Sequence, residues 1–298
     1  MSQPARHFFF SLSDKLEIVV RKLRGAANRA APQQALTMID CEKQNWQNVR
    51  PAFVLSTGRA GTLLLNRLLL PAPNAHAVHA PRPELIRASK RAYEEIDRQP
   101  EIFAETFKSA REELIFEAAL HNQIFIETNN RITFFAPVIR RVFPNAVFIH
   151  LTRRPADFVR SGLRRKWYSG TEDHDLGRIV PIQGEAAEKW DRFSLIEKIG
   201  WLWNETNRFI ADFTATLKPE DFLFIRAEDL FTHIEITKKI YEFLHLNDFN
   251  PKRVAKMIQH PVNVQKKRKY PKYENWPESD KTALKNLTPL AGKYGYKL

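Results

Sequence analysis

Two glycines three residues apart follow a short apolar run, and together they could bind an anion. The run at residues 53–55 (Phe-Val-Leu) is typical of a strand covered on both faces. In the turn that follows, Gly58 and Gly61 let the backbone approach an anion, and the first N–H groups of the next helix would point at it. Arg59 and Thr62 add a positive charge and a hydroxyl. The segment therefore predicts a cradle for a phosphate-like group.

The spacing of this turn differs from that of the nucleoside-triphosphatase loop. That loop has four residues between its glycines, followed by Lys and then Ser or Thr. Here only Arg59 and Ala60 separate the glycines, and Thr62 follows directly with no lysine before it. The turn favours a diphosphate-like group bound by amides, Arg59 and Thr62, without a metal ion. A short glycine motif of this kind also occurs in ordinary strand-to-helix turns.

A second anion-binding pattern begins where another apolar run, residues 146–152, ends. Arg153 follows this predicted strand, and Pro155 suits the first position of a helix. Ser161 and Arg165 are one helical turn apart, so they share a face of that helix. An arginine at a strand tip, with a hydroxyl and an arginine on the adjoining helix, predicts a second anion site. Two such sites describe a ligand with a phosphate at each end.

These two motifs resemble those of the sulfotransferase family, whose sulfuryl donor is 3′-phosphoadenosine 5′-phosphosulfate (PAPS). The first is similar to the family's 5′-phosphosulfate loop, and the second to its 3′-phosphate motif, in which an Arg and a Ser stand eight residues apart. Ala60 and Leu63 stand where many members have Ser and Thr, which implies fewer hydroxyl contacts to the sulfonate. The resemblance assigns donor binding to Gly58, Arg59, Ala60, Gly61, Thr62, Leu63, Arg153 and Ser161.

The resemblance extends over about residues 50–298. Residues 222–230 are similar to the family's late strand and the Tyr-Glu-Asp-Leu that follows it, and the ending Lys-Tyr-Gly-Tyr at 293–296 fits family endings. A late basic run, residues 265–270, resembles the loop with which the family clamps the 3′-phosphate. This similarity assigns Arg268 to donor binding as well.

The resemblance also implies a mechanism, in which an acceptor hydroxyl attacks sulfur in line while the enzyme positions the groups and stabilises charge. Arg59 would stabilise the charge on the bridging oxygen as the product 3′-phosphoadenosine 5′-phosphate (PAP) leaves. The general base is Glu or His in the family, and the segment after a strand predicted at 75–79 should emerge beside the cradle. Glu84 is our first candidate, although it also suits the first turn of a helix. His79 is the second and Glu127 the third.

Strands that alternate with helices predict an α/β fold: a P-loop-like parallel sheet with helices on both faces, in the sulfotransferase architecture. Ligands of such sheets lie outside the carboxyl ends of the strands. We divide the chain into an N-terminal basic amphipathic helix with a linker (1–48) and the main domain (49–298). The irregular stretch 167–184 indicates a lid over the acceptor. The main predicted helices span 61–70, 84–98, 101–120, 133–143, 156–167 and 194–217.

Composition limits the partners and the compartment. The net charge of +13 suits an anionic donor, and the absence of familiar nucleic-acid motifs argues against a specific nucleic-acid partner. The acceptor would be a carbohydrate, lipid or small metabolite. Cys41 is the only cysteine, which favours a reducing compartment, and no apolar run is long enough for a membrane span, so we predict a cytoplasmic location. The helix predicted at 13–27 would pack on the main domain or contact a membrane surface.

Two alternatives remain at this point. A nucleotide-dependent kinase or other phosphotransferase would also bind phosphates, but the loop lacks the lysine that such enzymes use. A basic nucleotide-binding protein with a decayed site is the non-enzyme alternative. Ala60, Leu63 and the unassigned base leave that alternative open.

Overall fold

The computed structural model describes residues 49–170, 173–259 and 270–298, together with Val19. The predicted N-terminal helix, apart from Val19, and the basic run that contains Arg268 lie outside these residues. Within the described part, no helix combines the length and the apolar character needed to cross a membrane.

A five-stranded parallel sheet forms the centre of the molecule, which confirms the predicted α/β class. Its strands lie in the order β2-β3-β1-β4-β5. Leu55 pairs with His150 of β4 and Phe53 with Glu127 of β3, so these three strands end at nearly the same level. The strands are β1 (Ala52–Leu55), β2 (Ala75–Val78), β3 (Ile124–Glu127), β4 (Val147–Thr152) and β5 (Phe222–Arg226).

Helices of very different lengths connect and follow the strands. A 3₁₀ turn at Asn130–Phe135 links β3 to its helix, and another lies at Asp173–Gly177. The α-helices of the described part are α1 (Thr62–Leu69), α2 (Ile86–Glu95), α3 (Pro100–Leu120), α4 (Ala136–Val142), α5 (Pro155–Leu163), α6 (Glu185–Lys189), α7 (Leu195–Thr214), α8 (Ala227–Thr232), α9 (Ile234–Phe243), α10 (Pro251–Gln259), α11 (Glu278–Leu287) and α12 (Leu290–Lys293).

Alternate residues of the central strand face two separate apolar cores. Phe53 and Leu55 belong to one core, and Ala52 and Val54 to the other. Residues of α3, α4, α5 and α7 join the first core, whereas residues of α1 and α9 join the second. Because both faces of β1 are buried, a continuous apolar run rather than an alternating one encodes it.

Several helix boundaries differ from the sequence prediction; the helix predicted over 194–217, for example, spans Leu195–Thr214. The helix predicted from residue 84 begins at Ile86, because Leu85 takes a left-handed conformation (φ +60°) that cannot lie inside a right-handed helix. The helix predicted over 133–143 becomes α-helical only at Ala136, after the 3₁₀ turn. The helix predicted to end at 167 ends at Leu163. Glu84 therefore lies in the connection that leads to α2, and not in the first turn of that helix.

Candidate active site

The turn between β1 and α1 has the backbone conformation of an anion cradle. Gly58, Arg59 and Gly61 have positive φ angles of 76°, 57° and 92°. The Gly58 amide donates to Ser56 Oγ (3.1 Å), which closes the start of the turn. Within the described part of the chain, the amides of Arg59 and of the next three residues, 60–62, donate no hydrogen bond. They remain available to a ligand at the end of the helix that favours negative charge.

A side chain would lack space at Gly61 and would be crowded at Gly58. A Cβ atom on Gly61 would lie 2.5 Å from Cε1 of Phe231, and one on Gly58 would lie 3.0 Å from the side chain of Asn130. The side chains of Phe231 and Asn130 therefore pack closely against the turn at these two positions. The two glycines that the sequence singled out allow a backbone that other residues would deform.

The two predicted anion sites meet at one serine. Arg59 Nε donates to Ser161 Oγ (3.4 Å), and Arg165 Nη1 donates to the same oxygen (2.9 Å). Arg153 Nη1 donates to the carbonyl oxygen of Arg59 (2.9 Å). The structure thus brings together side chains from the cradle, from the tip of β4 and from α5, as the sequence predicted. Three guanidinium groups surround the space between the strand ends.

The electrostatics of this cluster favour an anionic ligand. Burial, together with the charges of Arg165 and Arg153, lowers the pKa of Arg59 to about 10. Burial likewise lowers the pKa of Arg165, with repulsion from Arg164 and Arg153. Like charges held together in a partly buried place destabilise one another, and a bound anion would relieve that repulsion. The residues present therefore fit a donor with several negative charges.

A second set of contacts holds the tip of β4 in place. Trp203 of α7 donates from Nε1 to the carbonyl oxygen of Arg153 (2.7 Å). The amide of Arg154 donates to Glu228 Oε1 (2.9 Å), and the Tyr296 hydroxyl donates to the other oxygen of Glu228 (3.0 Å). Glu228 and Tyr296 belong to the two C-terminal segments that the sequence analysis matched to the family without giving them a role. Their role here is to fix the backbone that carries Arg153.

His79 lies one residue beyond the end of β2, in a half-buried position. Its Nδ1 is 2.9 Å from Thr128 Oγ1, and that hydroxyl donates its proton to the carbonyl oxygen of Val78 (3.3 Å). The donor in this contact depends on the ring tautomer: with the proton on Nδ1 the ring donates to Thr128 and the lone pair of Nε2 is free. Burial lowers the pKa of His79, while the nearby Glu84 raises it and Arg59 lowers it.

Glu84 is also half-buried, and it lies close enough to His79 and Arg131 for their charges to interact. The third base candidate, Glu127, is placed differently. Its carboxylate is fully buried and accepts hydrogen bonds from Arg111 Nε (2.7 Å), Arg111 Nη2 (3.0 Å) and Asn129 Nδ2 (3.1 Å). Both of its oxygens are thus used inside the fold, at the base of the loop that follows β3.

The stretch predicted as a lid is anchored in part. Arg178 pairs with Asp175 (2.7 Å), and its guanidinium lies 3.9 Å from the centre of the Trp167 ring. Trp190 packs edge-on against Tyr168 and Trp201, with ring centres 5.3 Å apart in both pairs. Whether the stretch covers an acceptor stays a prediction.

A model of the sulfotransferase family matches residues 51–251, which is more than half of the chain. The chain belongs to the sulfotransferase family. The matched region contains the cradle, Arg153, Ser161 and all three base candidates. No curated protein matches the chain.

The chain is similar to solved structures of bacterial sulfotransferases. A sulfotransferase from Mycobacterium avium aligns with a TM-score of 0.50 and 14% identity, over 84% of this chain and 78% of that one. The sulfotransferase domain of the olefin synthase of Synechococcus PCC 7002 aligns with a TM-score of 0.48 and 16% identity, over 84% of this chain and 97% of that domain. A sulfotransferase from Alicyclobacillus acidocaldarius aligns with a TM-score of 0.48 and 14% identity, over 84% of this chain and 98% of that one.

The sequence analysis of this sulfotransferase missed Arg131. This arginine follows β3 within the 3₁₀ turn, and it lines a small cavity together with Arg178. No motif marks it, because its neighbours come from segments far apart in the chain. Among the described residues, no group of three or more His, Cys, Asp or Glu side chains could hold a metal ion.

Proposed function

We propose that the protein transfers a sulfuryl group from PAPS to a hydroxyl of a carbohydrate, lipid or small metabolite. The observation that carries this proposal is that Arg59 and Arg165 bind Ser161 and Arg153 binds the backbone of Arg59, beside cradle amides that make no hydrogen bond within the described residues. A donor with phosphate groups at its 3′ and 5′ positions offers anionic oxygens to both halves of this arrangement. The membership of the chain in the sulfotransferase family supports the same donor.

We assign the two ends of the donor to the two sides of the cluster. The amides of the cradle, with Arg59 and the Thr62 hydroxyl, would hold the 5′-phosphosulfate. Arg153 and Ser161 would hold the 3′-phosphate by charge-assisted hydrogen bonds. Arg268, outside the described residues, is proposed to add a contact to the same 3′-phosphate on the basis of the resemblance alone.

The proposed reaction needs no covalent intermediate on the protein. The acceptor oxygen forms a bond to sulfur, the bond from sulfur to the bridging oxygen breaks, and the electron pair leaves with PAP. The proton of the acceptor hydroxyl goes to a base of the protein. Arg59, in the turn before α1, would stabilise the charge that develops on the bridging oxygen, and this stabilisation is largest in the transition state.

We propose His79 as the base and Glu84 as its electrostatic support. In the tautomer that donates from Nδ1 to Thr128, Nε2 of His79 has a free lone pair, and burial lowers the pKa of the ring, which favours its neutral form. Arg59 lies close enough to interact with His79 electrostatically. Glu84, ranked first from the sequence alone, would stabilise the imidazolium that forms when His79 accepts the proton. The cytoplasmic location and a membrane contact by residues 13–27 stay predictions.

Thermal denaturation with different nucleotides tests the proposed donor. PAP should raise the melting temperature without Mg²⁺ and more than ADP does, because only PAP fills both anion sites. Equal shifts from PAP and ADP would contradict the assignment of a 3′-phosphate site. A shift that requires both ATP and Mg²⁺ would instead support a phosphotransferase.

A further inference from the structure

Arg131 lies on the opposite side of the cradle from Arg153. In the sheet, β3 and β4 flank β1, so the loop after β3 and the tip of β4 emerge on opposite sides of the cradle. The end of β2, which carries His79, lies beyond β3 on the Arg131 side. Glu84 is also on this side, since its charge interacts with those of His79 and Arg131. The proposed base and Arg131 therefore share the side of the cradle that the donor's 3′-phosphate does not use.

A small polar cavity of about 30 Å³ lies next to Arg131. One part of its wall comes from the start of the cradle, another from the 3₁₀ turn after β3, and another from the stretch predicted as a lid. A buried water needs about 10 to 15 Å³ on this measure, so the cavity suits a single oxyanion group and not a whole acceptor molecule. The polar lining residues include Ser56, Thr57, Ser89, Asn130, Arg131 and Arg178.

The cavity contains more positive than negative charge. Within the described part of the chain, the guanidinium of Arg131 has no hydrogen bond and no ion pair within 4 Å. Arg178 is held at the cavity by Asp175 and Trp167. The pKa of Arg131 is lowered to about 10, mainly by burial and also by repulsion from Arg178, while the charge of Glu84 opposes this shift. A guanidinium that is partly buried without a hydrogen-bonded acid is destabilised, and an oxyanion within hydrogen-bond distance would remove that cost.

We propose that this cavity binds an anionic substituent of the acceptor, a carboxylate, phosphate or sulfate group, through Arg131. The substrate class is then a hydroxyl compound that already bears a negative charge. The donor does not need Arg131, because its two ends are assigned to the cradle and to Arg153 and Ser161. That the bound molecule is a sulfuryl acceptor rests on the proposed function. Anion binding at Arg131 can be measured independently of it.

The first test is a titration of PAP-saturated protein with inorganic phosphate, with sodium chloride at the same ionic strength as the blank. PAP should occupy the donor's anion sites, so any further saturable stabilisation reports another site. Arg131→Gln should weaken phosphate binding by about 10-fold to 150-fold, the value of one charge-assisted hydrogen bond. Arg131→Lys should retain part of the affinity because it keeps the charge. Arg91→Gln is the matched control, since Arg91 on α2 has a side chain that is 64% exposed.

Several results of this titration would overturn the site. Phosphate that fails to stabilise the PAP-saturated protein, or that binds Arg131→Gln and the unchanged protein equally well, excludes it. Blocking of phosphate by PAPS but not by PAP would assign Arg131 to the donor's sulfonate, which also contradicts the proposal. A protein that does not bind PAP at all would count against the proposed donor alone, because the comparison of phosphate binding with and without Arg131 would still stand.

The role of the site in acceptor choice is read from release of PAP from PAPS. Glycerol 3-phosphate should raise the rate above that of glycerol, and glucose 6-phosphate above that of glucose, by at least about 10-fold in kcat/KM. Arg131→Gln should remove this preference. The proposal would be contradicted if glycerol or glucose reacted as fast as its phosphorylated form. It would also be contradicted if neither phosphorylated compound caused release of PAP.

Discussion

Ser161 connects the two halves of the candidate donor site at the scale of single residues. Its hydroxyl accepts hydrogen bonds from Arg59 and Arg165, and Arg153 binds the backbone of Arg59. The arginines are therefore held close to one another before any ligand binds. Such preorganisation reduces the rearrangement needed when a charged donor arrives. The repulsion among them is a cost that the folded protein carries, and donor binding would remove it.

The assignment of the base makes a prediction about the pH dependence of turnover. A base must be neutral to accept a proton, so activity that depends on His79 falls as the pH drops through the pKa of the ring. Burial lowers this pKa, so the decline of kcat at low pH, the acid limb of the profile, should have its midpoint below pH 6.5. His79→Gln should lower kcat by about 10² to 10⁴ and remove that limb, at unchanged affinity for PAP.

Glu84→Gln separates this model from the reverse assignment. Because the charge of Glu84 raises the pKa of His79, its removal should move the acid limb to lower pH, with a smaller loss of kcat than that of His79→Gln. If Glu84→Gln lost as much activity as His79→Gln, and the acid limb survived in His79→Gln, Glu84 would be the base. Profiles of kcat against pH for both variants provide the measurement.

At the scale of elements, the donor site depends on how the turn after β1 meets α8. Gly61 is the last residue before α1, and the ring of Phe231 in α8 fills the space beside it. The amides that should bind the donor keep their direction only while this contact is undisturbed. The late part of the chain, which lies far from the cradle in sequence, thus shapes the cradle.

Gly61→Ala should therefore impair donor binding more than stability. The left-handed backbone costs an alanine about 1 to 2 kcal/mol, and the clash with Phe231 would also move the turn. PAP affinity should fall by more than about 10-fold if one charge-assisted hydrogen bond is lost. Gly170→Ala is the matched control, because Gly170 has a φ of +72° with no atom within 4 Å of its Cβ position. Equal affinities of the two variants for PAP would contradict the proposed role of the cradle.

Across the whole molecule, the sheet separates two functions on either side of one loop. In this strand order, Arg153, the proposed contact to the donor's 3′-phosphate, follows β4, and the candidate base follows β2. The cradle after β1 lies between them. Below the site, His150 of β4 is buried and bound to Asn207 Oδ1 of α7 (2.8 Å). Burial lowers the pKa of His150 to about 4. The stability of the sheet should therefore depend on pH.

The sign of this dependence follows from the protons bound in each state. The unfolded chain protonates His150 below about pH 6.5, whereas the folded protein does so only near pH 4. Its contribution to stability is present above pH 6.5 and is lost as the pH falls from 6.5 towards 4. His150 alone should cost about 2 kcal/mol in the free energy of unfolding between pH 7 and pH 5. Urea denaturation of His150→Gln should lack that part of the loss, and an unchanged pH dependence would contradict the prediction.

Local signals in the sequence were sufficient for the sheet and for the turn that follows β1, whereas donor binding by the residues of that turn stays a prediction. A buried strand, a glycine turn and a helix start are each encoded by a few neighbouring residues, so the cradle and the Arg153–Ser161 motif were predicted by residue number. The left-handed Leu85 was missed because leucine carries no signal for that conformation. The proximity of Arg131 to Arg178 was not predicted, nor was the support that Glu228 and Tyr296 give to the backbone after β4. In both cases the residues come from distant segments of the chain.

The central claim is that Arg153 recognises the 3′-phosphate of the donor, and calorimetric titration of two ligands into two proteins tests it most directly. PAP and adenosine 5′-phosphate differ only in the 3′-phosphate. Arg153→Ala should weaken PAP binding by about 10-fold to 150-fold and leave adenosine 5′-phosphate almost unchanged. The second ligand controls for the structural bond from Arg153 to the backbone of Arg59. Equal losses for both ligands, or no loss for PAP, would contradict the account.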